Sequence, residues 1–387
     1  MSSFISSIKF STGEYTDIGG CRENQDAMLR YEDDKIIIIS VIDGHGVDGK
    51  KVAEFCKTEL QNNIATKMNK ILSQPTKFLD EIFPNIHHSL ALKIIKEKLE
   101  YENVCRLEPS GNLLIKKNYA DIWEPMMTGG ATMTIAIMIK ETLNLYVANV
   151  GDSEAMLCST KSILRDNDLV GIETKDLSET KDSKDSDYIV ITGLHSPNNL
   201  KEYQRISLDP TITKKPEFIY DSMYKGVNSH IEHIYSEPIM PPKYGYFKNV
   251  KREYATYLKI PDNELPFNHR LAMTRSIGDF SMVPYGCSCI PTIRIIDCQA
   301  ILQRYDETDT SPMLCLLLSS DGVWDNWNYQ DVQLFMMHST CLNAVNTNPN
   351  GTQQITEAFM ERNKLFGLRN FNNASDNATS VVMYVRK

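Results

Sequence analysis

The chain reads as an α+β protein, a core of antiparallel sheet with helices laid against it. Three observations predict this. Short β-branched and aliphatic runs recur from the beginning of the chain to its end, at 35–42, 131–139, 143–150, 313–319 and 379–385. Helical periodicity is confined to separate stretches and does not follow each strand in turn. The runs at 131–139 and 143–150 are joined by Lys140-Glu-Thr142 alone, which is a hairpin and too short for a parallel crossover.

Taken in order, 35–42 (K-I-I-I-I-S-V-I) is a continuous apolar run, the mark of a buried strand. The stretches 49–72 and 77–101 place apolar residues at three-and-four spacing, the signature of helices with one buried face. The hairpin follows, then the strand 313–319 (M-L-C-L-L-L-S), helical patterns at 330–338 and 353–365, and a closing strand at 379–385. Three stretches break the plan and read as surface insertions: 102–127, the acidic and serine-rich 160–188, and 209–266, dotted with Pro, Tyr and Lys. The acidic run E179-T-K-D-S-K-D-S-D187 predicts partial disorder in the second of them.

Composition excludes several functions. With 42% hydrophobic residues in 387 there is enough apolar side chain for a sizeable core. A net charge of −9, from 50 acidic and 41 basic residues, argues against sequence-independent nucleic-acid binding and against an anionic membrane surface. The start, M1-S-S-F-I-S-S-I-K-F10, lacks the pattern of a signal peptide, and no apolar run is long enough to span a bilayer. Nine cysteines without C-x-x-C pairs suit reduced thiols. The expectation is a soluble protein of the cytoplasm or nucleus. Cys287 and Cys289 read as loop thiols, and His230 and His233 as incidental histidines, since neither pair has a second pair nearby to complete a metal shell.

Chemistry concentrates at the strand tips. Asp43 follows the first strand in D43-G-H-G46, Asp152 follows 143–150, Asp321 and Asp325 follow 313–319, and Asp376 precedes the last strand. One aspartate at a strand end is ordinary turn chemistry. Several that converge would repel one another unless cations sat among them. Oxygen-only ligands select hard ions, Mg²⁺ or Mn²⁺, and glycines 44, 46, 151 and 322 would let backbone carbonyls approach as well.

These residues in this order resemble the metal-dependent type 2C (PPM) family of protein serine/threonine phosphatases. The resemblance rests on R22-E-N-Q-D-A27, V41-I-D-G-H-G46, T128-G-G-A-T132, A148-N-V-G-D-S153, L271-A-M-T-R-S-I-G-D279, L318-S-S-D-G-V-W-D325 and D376-N-A-T-S380. It implies a single catalytic domain over 1–387 with nothing appended, folded as a central β-sandwich of two antiparallel sheets flanked by helices, with the metal site at one end. It implies a monomer that hydrolyses phosphoserine and phosphothreonine in phosphorylated protein substrates, through a metal-activated water and without a covalent intermediate. By resemblance Asp43 bridges two ions, Asp321 and Asp376 complete the shell of the first, and the Gly44 carbonyl serves the second. Asp152 and Asp325, with Asp321, match positions that hold a weaker third ion in some members. Arg22 matches the phosphate-binding arginine and His45 the general acid.

The chain departs from the pattern at three places. Gln25-Asp26 stands where the family shows an acidic pair, so Gln25 offers a carbonyl oxygen without charge and Asp26 compensates directly or through a water. Leu194 replaces an aspartate before His195, and Val47-Asp48 follows D-G-H-G where a glycine is common. The departures at the metal site leave a second reading, a catalytically silent relative that binds phosphoproteins as a scaffold. A third, cysteine-dependent chemistry at C298-Q-A-I-L-Q-R304, fails because its phosphate loop needs glycines that this stretch lacks. The T274-R-S-I-G-D279 stretch reads as a packing and turn element, the 194–206 segment as structural, and Trp324 and Trp327 as core. The 209–266 insertion falls where the family carries its substrate-facing flap.

Overall fold

Strand β3 (Ile36–Ile42) is buried along its whole length. Its alternation explains why: Ile36, Ile38 and Ile42 pack among helical side chains, while Ile37, Ile39 and Val41 point at a second sheet. A strand apolar on both faces needs cover on both, and here a helix layer lies on one side and a sheet on the other. The computed structural model describes residues 7–99, 104–116, 122–171, 184–197, 199–212, 214–222, 232–233, 254–264, 269–306, 309 and 312–387.

Two antiparallel sheets form the sandwich. The first runs in the order β12 (Val170–Gly171), β19 (Thr292–Asp297), β10 (Asn144–Val150), β9 (Met133–Ile139), β3 and β2 (Ala27–Glu32). The second runs β1 (Lys9–Asp17), β21 (Ala378–Arg386), β20 (Met313–Ser319), β11 (Glu154–Ser159) and β13 (Tyr188–Val190). Between them Ile37, Val41, Met138 and Val147 meet Leu157, Leu316, Leu318 and Val381. Helices α1 (Gly49–Ser73) and α2 (Pro75–Leu99) cover the outer face of the first sheet through Val52, Leu60, Phe78 and Phe83. The outer face of the second carries α5 (Asp321–Trp324), α6 (Tyr329–Met336), α7 (Ser339–Thr347) and α8 (Gly351–Phe371), with Trp324, Trp327 and Phe359 in the seam. This is the four-layer α-β-β-α sandwich expected.

The hairpin at 140–142 joins β9 to β10 in register, Asn144 opposite Ile139. The remaining sheets are small: β4 (Gly44–His45), β8 (Gly130–Ala131) and β18 (Ile277–Gly278) form one, β5 (Val104–Leu107), β6 (Leu113–Lys116) and β7 (Trp123–Pro125) another. The latter gives the 102–127 insertion a sheet of its own. In the 209–266 insertion β14 (Glu217–Ser222), β15 (Glu232–His233) and β16 (Tyr254–Lys259) join β17 (Arg270–Leu271), behind α3 (Leu200–Leu208). His230 and most of the acidic 179–187 run lie outside the described residues. Helix α4 (Cys298–Leu302) holds Cys298 fully buried, with Arg304 bonded to Asp168 at 2.6 Å. That arrangement offers no phosphate loop.

Candidate active site

The tips of the two sheets are stitched together by short polar side chains. Thr132 N–H donates to the Asp43 carbonyl at 2.8 Å, Asp43 N–H donates to Thr132 Oγ1 at 3.3 Å, and that hydroxyl shares a 2.6 Å hydrogen bond with Ser153 Oγ. The end of β3 is thereby fixed to the Gly151-Asp152 turn, where Gly151 takes a left-handed φ of 90°. From the other sheet, Ser320 Oγ donates to Asp26 Oδ2 at 2.8 Å and accepts from Thr379 N–H at 2.9 Å. Asn377 accepts the Gln25 N–H at 2.8 Å and donates to the Ile18 carbonyl at 2.8 Å. Loop 18–25 is thus tied to the start of β21. Asp321 opens α5 and Asp325 lies one turn on.

The carboxylates so placed strain against one another. Burial, together with the charges of Asp26, Asp321, Asp152 and Asp376, pushes the Asp43 carboxyl well above the usual carboxylate range. Burial likewise lifts Asp26 to about 6, with Asp376 adding to the rise and hydrogen bonds opposing it. Asp26 Oδ1 is buried and receives no hydrogen bond. An all-oxygen, mutually repelling donor set fits a hard divalent cation. Among the described residues no three carboxylate, imidazole or thiolate groups enclose a single point by themselves.

His45 has a partner that the sequence reading assigned to packing. Its Nε2 lies 2.7 Å from Asp279 Oδ2, and Asp279 is buried. Ser276 Oγ donates to the same carboxylate oxygen at 2.6 Å. Burial draws the His45 pKa down, but the Asp279 charge and hydrogen bond outweigh it and leave the imidazole above its ordinary value. Nδ1 is buried and has no hydrogen-bond partner. Gly130 makes room for the pair: a Cβ there would lie 2.0 Å from Asp279 Oδ2 and 2.7 Å from His45 Nε2. The signal for Asp279 was present in T274-R-S-I-G-D279, whose last residue is acidic at a glycine turn. Nothing in the spacing connects it to a histidine 234 positions away.

Other predicted residues fall as follows. Arg22 is exposed, next to Cys21, whose thiol lies 3.6 Å from Asp376 Oδ1. Gln25 commits its side-chain Nε2 to the Gly46 carbonyl at 3.1 Å, latching the D-G-H-G turn. Gly44 has no space for a side chain, since a Cβ would meet Gly49 O at 2.3 Å and Gln25 O at 2.7 Å. Cys287 is buried and Cys289 half-buried.

Beside the site, the 194–206 segment is structural, as expected. His195 Nδ1 accepts the Gly151 N–H at 3.1 Å while Nε2 lies 2.8 Å from Thr292 Oγ1. Glu202 receives Arg275 Nη2 at 2.6 Å, Arg205 Nη2 at 2.8 Å and Thr274 Oγ1 at 2.7 Å. Both Glu202 and Arg275 are buried, and the carboxylate has its counter-charges within the cluster.

The profile of the family described as Protein phosphatase 2C matches residues 15–215 and 256–343, well over half of the chain. A relative from Arabidopsis thaliana, "Probable protein phosphatase 2C 1", is 26% identical over 319 residues, covering 80% of this chain and 53% of its own length. One from Oryza sativa subsp. japonica, "Probable protein phosphatase 2C 73", is 23% identical over 330 residues, covering 80% and 59%. The chain thus spans little more than half the length of the curated relatives it matches. Among solved structures, the serine-threonine phosphatase 2C of Toxoplasma gondii superposes with a TM-score of 0.54 at 16% identity, over 97% of this chain and 95% of that one. A C. elegans sex-determining protein gives 0.54 at 13% identity, over 97% and 64%. At such identities these two structures speak for the fold.

Proposed function

Because the chain belongs to the protein phosphatase 2C family, we propose that it is a metal-dependent phosphatase acting on phosphoserine and phosphothreonine in proteins, with water as the attacking group and no covalent intermediate. The observation that carries this reading is the gathering of Asp26, Asp43, Asp152, Asp321 and Asp376 around one another, beside a histidine held by a buried carboxylate. Two Mg²⁺ or Mn²⁺ ions, with a weaker third, would supply a nucleophilic water at neutral pH and a clamp for the charge of the phosphoryl oxygens.

The chain's own residues do the rest. Asp43, Asp321, Asp376, Asp26 and the Gly44 carbonyl would hold the two ions, and Asp152 and Asp325 would help to hold the third. Gln25 brings no charge to this set, and its amide steadies the turn that presents His45. Arg22 binds the substrate phosphate. The serine or threonine alkoxide is a poor leaving group, so a proton delivered as the bond breaks lowers the barrier. With Nε2 committed to Asp279, Nδ1 of His45 is the nitrogen left to deliver it, directly or through a water.

The test is phosphate release from a phosphothreonine peptide as Mn²⁺ is titrated. Activity should rise from zero in chelator to a plateau, and His45→Ala should slow the peptide more than an aryl phosphate, whose leaving group needs no acid. A wild-type protein inert throughout millimolar Mn²⁺ would leave phosphoprotein binding without catalysis as the function.

A further inference from the structure

We propose that His87, on α2, is a positioning residue for the His45–Asp279 pair, holding the left-handed turn that aims Asp279 at His45 by accepting the Gly278 N–H. The inference rests on the reading of His45 as the acid. The turn needs holding. Gly278 and Asp279 are consecutive residues with φ of 89° and 47°, and the second is not a glycine, so the backbone there is strained unless its neighbours fix it. Gly278 has no room to become anything larger, since a Cβ would lie 2.7 Å from the Gly129 carbonyl.

Several anchors hold the turn, and they come from different elements. Asp279 N–H donates to Gly129 O at 3.3 Å, a long bond, and the Asp279 carbonyl accepts Met282 N–H at 2.8 Å. Ser276, three residues back, holds the carboxylate. The anchor supplied by the helix layer is His87, whose Nδ1 accepts the Gly278 N–H at 3.2 Å and whose ring lies 4.6 Å from that of Phe280 at an interplanar angle of 52°. It therefore grips the residues on both sides of Asp279. Accepting at Nδ1 requires a lone pair there. Burial holds the His87 pKa down, to about 4, so the ring keeps that lone pair at neutral pH.

A histidine that merely filled space would serve through its ring alone. The hydrogen bond is what separates the two roles, and two substitutions divide them. His87→Asn keeps an acceptor near the position of Nδ1 and loses most of the ring; His87→Leu keeps volume and loses the acceptor. Measured on the full chain with Mn²⁺, His87→Leu should lower kcat on a phosphothreonine peptide about tenfold to a hundredfold, because a small misplacement of an acid is costly. Its kcat on 4-nitrophenyl phosphate should stay within about threefold, as that substrate needs no proton. His87→Asn should stay near wild type on both. In chelator-treated protein, nitrogen-15 NMR of the imidazoles should find the His45 Nε2 proton bonded to Asp279 in wild type and His87→Asn, and lost in His87→Leu. Equal loss on the two substrates, an unchanged His45 signal in His87→Leu, or an Asn variant as damaged as the Leu variant would overturn the assignment. Should His87→Leu fail to fold, His87→Phe, which keeps the ring against Phe280, takes its place. An inert wild type would remove the phosphatase reading, and the NMR comparison would still decide what His87 does.

Discussion

Glu202 and Asp43 are both carboxylates largely withdrawn from water, yet the first is driven far below the ordinary range and the second well above it. Burial pushes each upward. For Glu202 the guanidinium groups of Arg275 and Arg205 overwhelm that push. For Asp43 the strongest neighbouring charges are the carboxylates of Asp26, Asp321, Asp152 and Asp376, so the push is reinforced. A cluster that contains its own counter-ions is a brace, and its worth is mechanical: it ties α3 to the 274–290 segment through Thr274, Arg275 and the Gly286 carbonyl. A cluster without them is held under its own repulsion, and on the proposed reading it is completed by cations from outside.

Four experiments would break or sharpen that contrast. The largest effect is expected from Asp43→Asn, which should lower metal-dependent peptide hydrolysis by about a thousandfold or more. The same substitution should raise the thermal midpoint of chelator-treated protein, since it removes one of the repelling charges; a fall in midpoint would mean Asp43 is a structural group. Next, Glu202→Ala strands two guanidinium groups and should cost about 3–5 kcal/mol in urea unfolding, by the same amount with Mn²⁺ or with chelator. Gly130→Ala comes third. Its methyl would force Asp279 and His45 apart, and peptide turnover should fall about tenfold, with a loss of about 1–3 kcal/mol in stability.

The smallest effect is a slope. Asp26, with its folded pKa raised to about 6 from an ordinary 3.8, contributes stability that is fully present below the unfolded value and lost as pH rises through the folded one. Chelator-treated protein should therefore lose stability between about pH 4 and 7 from this source, and Mn²⁺ should flatten the loss. Glu202 works in the opposite sense: its depressed pKa contributes stability above the ordinary carboxylate value and loses it as pH falls toward the folded one. Thermal midpoints of the Asp26→Asn and Glu202→Gln proteins against pH would separate the two slopes.

Much of the sandwich was legible in the sequence, and the reason is burial. Strands β3, β9, β20 and β21 are buried at nearly every residue, so they appear as unbroken aliphatic runs. Strand β1, K-F-S-T-G-E-Y-T-D, sits at the edge of its sheet and is mostly half-buried; its polar alternation resembles a loop, and it was missed. Strands β2, β11 and β19 were missed with it, being short or interrupted by charge, as was α7, whose S-T-C-L-N-A-V-N-T has little helical bias. At the site, residues at strand tips could be found because each carries its own local signature. Asp279 and His87 could not, since their value lies in what stands opposite them.

The pairing of β1 with β21, register Lys9 opposite Arg386, brings the two ends of the described chain together, and Asn377 fastens the loop of Gln25 to the same strand. The strand that follows Asp376 therefore ties the beginning of the described chain to the carboxylate cluster. A chain carrying Asp43, His45 and Asp321 but lacking β21 would lose both the fastening of the Gln25 loop and the Asp376 carboxylate.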